Sequence, residues 1–324
     1  MTARLDILAP HLVTRLLQAG ADLPIARTLA RADATPSAFT DIDTALVHWF
    51  GIEGWAGVAA LTAAFDFDAA VDSARWLRAD PTRVILFDAD AVGLDADESD
   101  ALLAHLNAGL ADEELHFERG SAPTRWYVRL AAPLPLALAS PRALRGHSVE
   151  DSLDALRSSG ALRRLMTEAQ MLLYEAPTNQ ARAASGRAPI NSVWFWGGGS
   201  PSMPRTVLGG AVLGDDALLA ACARHAGFEY RREPAALAAL LRERPGDVLL
   251  LDHHELETVD LSRFERDILA PALSALRRGR LAHVAIHGHH VELAFTPAAR
   301  WRLWRRASRF LASLRAHSVP QVET

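Results

Sequence analysis

The chain has 324 residues, 50% hydrophobic and 23% charged, a balance that marks a folded globular protein and excludes disorder, collagen and coiled coil. Cys222 is its one cysteine, which excludes internal disulfides and thiolate-rich metal sites, and the net charge of −5 argues against a chain-wide nucleic-acid footprint. All 34 basic residues are arginine, so a Walker-type phosphate loop, a Schiff-base lysine and a lysine general base are excluded as well.

Residues 1–50 read as helical, because apolar residues recur at three and four spacing in Leu12, Val13, Leu16 and Leu17, in Ile25 and Leu29, and in Leu46, Trp49 and Phe50. Asp6, His11 and Arg15 interrupt anything resembling a signal-peptide core, and no window offers the roughly 18 to 20 apolar residues of a membrane helix. A cytoplasmic protein is expected. Val58 to Phe65, Arg75 to Arg78 and Val84 to Asp88 are short apolar or alternating runs bounded by Asp, Gly and Pro, which predicts strands. Leu102, Leu103, Leu106 and Leu110 predict a helix whose start carries Asp95, Asp97 and Glu98. Leu115 to Glu118 and Arg125 to Leu130 predict a hairpin.

The Pro and Ala stretch from Ala131 to Pro141 is the expected domain edge, dividing a helical N-terminus plus α+β subdomain (1–140) from an α/β domain (141–324). Beyond it a helix is expected over Ser152 to Tyr174 and a strand over Asn191 to Trp196. A helix over Asp216 to Ala226 and a strand over Asp247 to Leu251 follow. A helix over Leu261 to Arg278, with a Ser262/Glu265 capping box and Gly279 as its stop, precedes a hairpin of Leu281 to His287 with Val291 to Phe295. Pro297 to Leu314 closes the chain as a helix. This alternation predicts an α/β fold with a mixed sheet flanked by helices.

Three features bear on chemistry. Gly197, Gly198 and Gly199 follow an apolar strand, where backbone N–H groups approach an anion easily, and Asn179, Arg182, Arg187 and Asn191 supply fixed donors for a small phosphorylated or carboxylate ligand. Against this, Trp194 and Trp196 anchoring a buried strand would leave the glycines only to turn the chain. Asp252 and His253, with His287 and His289, are weak candidates for zinc or manganese at strand ends, although neighbours on a strand point to opposite faces. The last helix carries Arg300, Arg302, Arg305, Arg306, Arg309 and Arg315 beside Trp301 and Trp304, a basic amphipathic surface for nucleic acid, an anionic lipid surface or an acidic protein partner, or simply a closing core helix with an arginine-rich solvated face. Asp88 and Asp90 would share a strand face, and Cys222 reads as a small buried hydrophobe.

The run Arg163 to Tyr174, then Asn179, Arg182 and Pro189 to Gly199, resembles the RpfE-type regulatory proteins of bacteria. So do Trp76 to Pro81, Leu86 to Asp90, Leu102 to Leu110 and Trp301 to Arg306, which extends the resemblance over most of the chain. That family is in turn similar to archaeal-type cofactor-independent phosphoglycerate mutases of the alkaline phosphatase superfamily. Asn191, Trp196, Gly197 and Gly199, and the stretch from Ile85 through Asn107 to Arg129, match the mutase pattern.

The resemblance implies a remnant of the mutase and alkaline phosphatase-like fold, and its departures bear on activity. Such enzymes hold two metals with Asp and His while a Ser or Thr accepts the phosphoryl group. Here no Asp-Gly dipeptide occurs, no early nucleophile loop is found, and Asp252-His253 stands as a lone pair. The expectation is a regulatory or scaffolding pseudoenzyme without a cofactor. The alternative is an active metal-dependent mutase or phosphatase using manganese or zinc at a rebuilt site.

Overall fold

The computed structural model describes residues 3–37, 39, 41–52, 54–68, 76–82, 93–132, 134, 136, 138–144, 159–202, 210–243, 246–254 and 256–318. Among them the strands are β1 (Arg4–Leu8), β2 (Asp33–Pro36), β3 (Trp76–Thr82), β4 (Leu115–Arg119), β5 (Trp126–Leu130), β6 (Ser192–Trp196), β7 (Ala211–Leu213), β8 (Glu229–Arg231), β9 (Val248–Leu251), β10 (His283–His287) and β11 (Val291–Phe295). The fold is mixed α/β, as the alternation predicts. The expected strand over 84–88 and the Asp88/Asp90 pair lie outside the described residues, as do positions 152–158 of the expected 152–174 helix, which is observed as Gly160–Glu175.

The chain divides into two compact units, one formed by Met1–Leu46 with Arg205–Thr324 and the other by Val47–Pro204, and not at 140/141. The cause is β1. Its run Leu5-Asp-Ile-Leu8 pairs in parallel with β9 on one side and β10 on the other, so the first residues complete a sheet built from the last third of the chain. Residues 1–50 are therefore not all helical. A five-residue strand with Asp6 set between Leu5 and Ile7 is too short to show a period that separates it from the helical spacing beginning at Leu12.

The first unit has a seven-stranded sheet in the order β2-β11-β10-β1-β9-β7-β8. The pairs from β10 to β8 are parallel, while β11 and β2 add antiparallel strands at one edge. Leu5 and Ile7 of β1, Val284 and Ile286 of β10, and Leu250 of β9 enter one apolar core with Leu16, Leu29, Phe264 and Leu314. Residues 261–277 form the predicted helical stretch, with a π-helical turn at Phe264–Leu269 and Ala270–Arg277 after it. Its cap is Asp260, whose carboxylate accepts from the N–H groups of Ser262 (2.9 Å) and Arg263 (3.0 Å), in place of the expected Ser262/Glu265 box. Cys222 is fully buried in the helix Ala217–Ala226, and burial pushes its thiol pKa up.

The expected terminal helix over 297–314 is broken. Pro297–Trp301 is a 3-10 turn and the α-helix begins at Ala307. Between them Arg302 and Arg305 reach back to Asp33, at 2.6 and 3.2 Å, and Arg302 also donates to the Arg31 carbonyl. These tethers hold the intervening residues off the helical path.

The second unit carries an antiparallel sheet in the order β4-β5-β3-β6, with the predicted hairpin as β4 and β5. The helix Ala96–Gly109 starts at the Asp95 cap, which accepts from Glu98 N at 2.8 Å. At its other end the Asn107 amide clamps Phe117, donating to its carbonyl and accepting from its N–H. Val58–Asp66 is a helix and not the predicted strand. Residues 58–64 are all buried, and a helix buried all round shows no amphipathic period to distinguish it from a strand. The expected linker at 131–141 is part of this unit. Leu136 and Leu138 are buried, and their carbonyls accept from the N–H groups of Gly198 and Gly197. No helix among the described residues is long and apolar enough to cross a membrane.

Candidate functional site

In open α/β sheets, ligands gather at the carboxyl ends of parallel strands. In the first unit β9, β1 and β10 end together, since Leu8 lies opposite both Leu251 and His287. Asp252 N donates to Leu8 O, and Ala9 N donates to His287 O. Asp252 and His287 therefore flank the end of β1. His289 lies beside the chain leaving it, its N–H on Pro10 O and its ring 4.8 Å from that of His11. His253 follows Asp252 and is exposed.

The alternation of β1 adds a residue that periodicity did not single out. Asp6 is 3% exposed, and its Oδ1 lies 2.9 Å from His287 Nε2 and 2.7 Å from an Arg4 nitrogen. On the other side of the imidazole, Nδ1 lies 3.3 Å from Glu292 Oε2, set across the β10–β11 pair. Burial draws the His287 pKa down, but the Asp6 hydrogen bond and then Glu292 outweigh it and raise it to about 9. Hydrogen bonding to His287 holds Glu292 below the usual carboxylate range. His287 is thus an imidazolium at neutral pH. Asp252 is closed in the same manner, with Arg263 at 2.6 Å and His254 at 3.4 Å from its Oδ1.

In this structure the donor set is paired within the chain. A ligating imidazole must be neutral with a nitrogen lone pair free, and ligating carboxylates must lack a competing cation. His287 has a carboxylate at each nitrogen, and Arg263 holds Asp252. Among the described residues no group of three or more His, Cys, Asp and Glu is arranged to hold an ion. The adjoining recess, lined by Leu8, Pro10, Phe39, Ile42, His287 and His289 among others, has about 20 Å³, room for one water.

The glycine-linked group lies in the second unit, and the structure brings part of it together. Arg182 is fully buried, with Nη1 2.5 Å from Glu98 Oε2 and Nε donating to Ala188 O at 3.0 Å. Arg187 reaches the other Glu98 oxygen. Asn179 is spent on the backbone: its amide donates to the carbonyls of Leu173 and Ile190 and accepts from Ile190 N. Asn191 leaves Oδ1 buried with no hydrogen-bond partner, an acceptor where an anion requires donors. The N–H groups of Gly197 and Gly198 are committed to Leu138 and Leu136, and their carbonyls take the N–H groups of Ala59 and Gly57. Gly199 turns the chain at φ 101°.

Close approach is what these glycines provide. A Cβ on Gly198 would meet Leu77 Cδ2 at 2.3 Å and the Leu134 carbonyl oxygen at 2.6 Å. We expect Gly198→Ala to destabilise this unit by about 2 kcal/mol, read in urea unfolding. An unchanged midpoint would show that the 134–138 segment yields freely.

A buried polar network on β3 also escaped the residue-type search. Arg78 and Asp80, two apart on one strand face, form a buried ion pair. The Arg78 guanidinium lies 5.2 Å from the ring centres of both Tyr127 and Trp196, and Trp196 Nε1 donates to Asp80 at 2.9 Å. Asp66 accepts from Tyr127 and Arg125 close by. The strand alternation Arg78-Ala-Asp80 was the available signal.

The 2,3-bisphosphoglycerate-independent phosphoglycerate mutase of Methanothrix thermoacetophila is 33% identical over 113 residues, covering 33% of this chain and 29% of that protein. The enzyme of the same name from Methanosarcina barkeri is 28% identical over 116 residues, covering 35% of this chain and 29% of that protein. A probable mutase of Geobacter sulfurreducens is 25% identical over 121 residues, covering 37% and 30%. The similarity therefore spans less than a third of each relative's length. Among solved structures, the PH0037 protein from Pyrococcus horikoshii superposes with a TM-score of 0.52 at 16% identity, covering 96% of this chain and 92% of that one. The cofactor-independent phosphoglycerate mutase from Thermoplasma acidophilum gives 0.42 at 14% identity, covering 91% and 90%. No protein-family model matches the chain. The chain is weakly homologous to cofactor-independent phosphoglycerate mutases over about a third of its length, and its fold is that of PH0037.

Proposed function

We propose that this protein is a non-catalytic relative of the cofactor-independent phosphoglycerate mutases, acting in the cytoplasm in a regulatory or scaffolding role of the RpfE type. The observation that carries the reading is the internal pairing of the strand-end acids. Asp6 is held by His287 and Arg4, and Asp252 by Arg263, so the charge a two-metal centre would neutralise is already balanced by the chain's own cations. The resemblance to RpfE-type proteins supplies the regulatory part. A small phosphorylated or carboxylate ligand is expected at Arg182 and Arg187, where it would displace the Glu98 carboxylate. An acidic protein partner is expected at the arginine-rich C-terminal segment, and nucleic acid is not expected.

The test is turnover and metal content of the purified chain. We expect no phosphoglycerate mutase or phosphatase activity with manganese or zinc, and no thermal shift on adding either ion. Metal-dependent turnover abolished by Asp252→Asn or His253→Ala would establish the opposing reading, an active enzyme with a rebuilt site at Asp252, His253, His287 and His289.

A further inference from the structure

Away from the strand-end acids, the first unit holds a second recess. It lies between the helix Ala270–Arg277, the end of β11 and the 3-10 turn Pro297–Trp301, and is a shallow opening of about 40 Å³. The floor is apolar, formed by Leu273, Leu276, Phe295 and Ala299. Arg31, Arg277 and Arg300 also line the recess, and no carboxylate does. Among the described residues none of these three guanidinium groups has a carboxylate partner, whereas Arg302 and Arg305 share Asp33.

Like charges gathered at one apolar opening repel one another, and an anion seated among them relieves that repulsion. The apolar surface also continues outward. Arg300 lies over the ring of Trp301 at 4.8 Å, and Trp301, Leu303 and Trp304 are 65%, 68% and 72% exposed. Large apolar side chains exposed next to each other mark an interaction site more often than a bare surface. Association with a second copy through this segment would oppose arginine to arginine, since residues 296–318 contain no acid.

We infer that this recess binds an amphipathic anion: a carboxylate or phosphate head held by Arg31, Arg277 and Arg300, with an aliphatic body leading out over Leu273 and the exposed Trp301. The inference stands on this recess alone and is independent of the mutase relationship. The same head-and-tail chemistry comes from a free amphiphile or from an anionic lipid in a bilayer.

The test uses the full chain. Binding of decanoate and decyl phosphate below their micelle concentrations is followed by calorimetry and tryptophan fluorescence. Inorganic phosphate serves as the head without the tail, and decyltrimethylammonium as the tail with the opposite charge. We expect both decyl anions to bind at least about tenfold more tightly than inorganic phosphate, and Arg277→Gln and Arg300→Gln each to weaken them by about tenfold. Both arginines are exposed, so an unchanged melting temperature will show that the variants remain folded.

In a parallel arm, sedimentation with phosphatidylglycerol vesicles and with phosphatidylcholine vesicles identifies the source. Selective phosphatidylglycerol binding lost in Trp304→Ala, with decanoate binding retained, assigns the bilayer. Decanoate binding without vesicle binding assigns a free amphiphile. Equal binding of the cationic amphiphile, indifference to both arginine substitutions, or no binding in either arm overturns the inference.

Discussion

Glu98→Gln will lower the unfolding free energy of the unit Val47–Pro204 by about 3 kcal/mol. The substitution is isosteric and removes only charge. It takes one charged carboxylate from the fully buried Arg182 guanidinium, whose Nε donates to Ala188 O at 3.0 Å and whose Nη1 donates to Gly93 O at 3.3 Å. Removing a charged partner from a buried guanidinium costs far more than losing a surface contact. The comparison is internal: Arg164 and Glu168 form an exposed i,i+4 pair, and Glu168→Gln should leave the urea midpoint unchanged. The variant also tests the anion reading. If Arg182 and Arg187 accept a small anion in place of Glu98, phosphate will stabilise Glu98→Gln and not the native chain. A loss below about 1 kcal/mol would show that the pair does not hold this part of the unit together.

The second large effect is a fall in stability as pH rises from about 6.5. His287 has a folded pKa of about 9 against roughly 6.5 in an unfolded chain. A raised imidazole pKa contributes stability that is complete below the unfolded value and lost as pH approaches the folded one. The full effect is on the order of 3 kcal/mol. The neighbouring groups act elsewhere on the scale. Burial, and then Arg4, lower the pKa of His283, which removes stability only as the medium becomes acidic. Glu292, lowered by its bond from His287, contributes stability that is lost in acid. Cys222, raised by burial, adds an alkaline loss only above about pH 8.5, where an unfolded thiol ionises. The part of the fall between about 6.5 and 8.5 that is lost in His287→Gln therefore reports His287. Melting temperatures across that range should fall more steeply in the native chain than in His287→Gln. A flat native profile would mean that His287 is not the imidazolium described here.

Both effects rest on carboxylate and cation pairs whose partners lie far apart in the chain. Glu98 meets Arg182 across 84 positions, and Asp6 meets His287 across 281. Local spacing carries no trace of either. The search by residue type did find Arg182, Arg187, Asp252 and His287, because charged and imidazole side chains at strand ends and beside glycines are conspicuous in a linear reading. It could not say that these groups neutralise one another. The glycines at 197–199 illustrate the same limit: a strand followed by three glycines predicts free N–H groups, and the 134–138 segment accepts two of them.

The sequence by itself determined the mixed α/β class, the amphipathic helices, both hairpins and the burial of Cys222, since each follows from a period or a turn residue within a few positions. The tertiary structure alone decided that β1 completes a sheet made by the end of the chain, that Val58–Asp66 is a helix, and that the division runs through discontinuous segments. It also decided that the strand-end acids are closed by internal cations. The physical reason is common to all four: an element buried on every side loses the polar face that makes its period visible, and charge neutralisation depends on distance in space, which sequence separation does not encode.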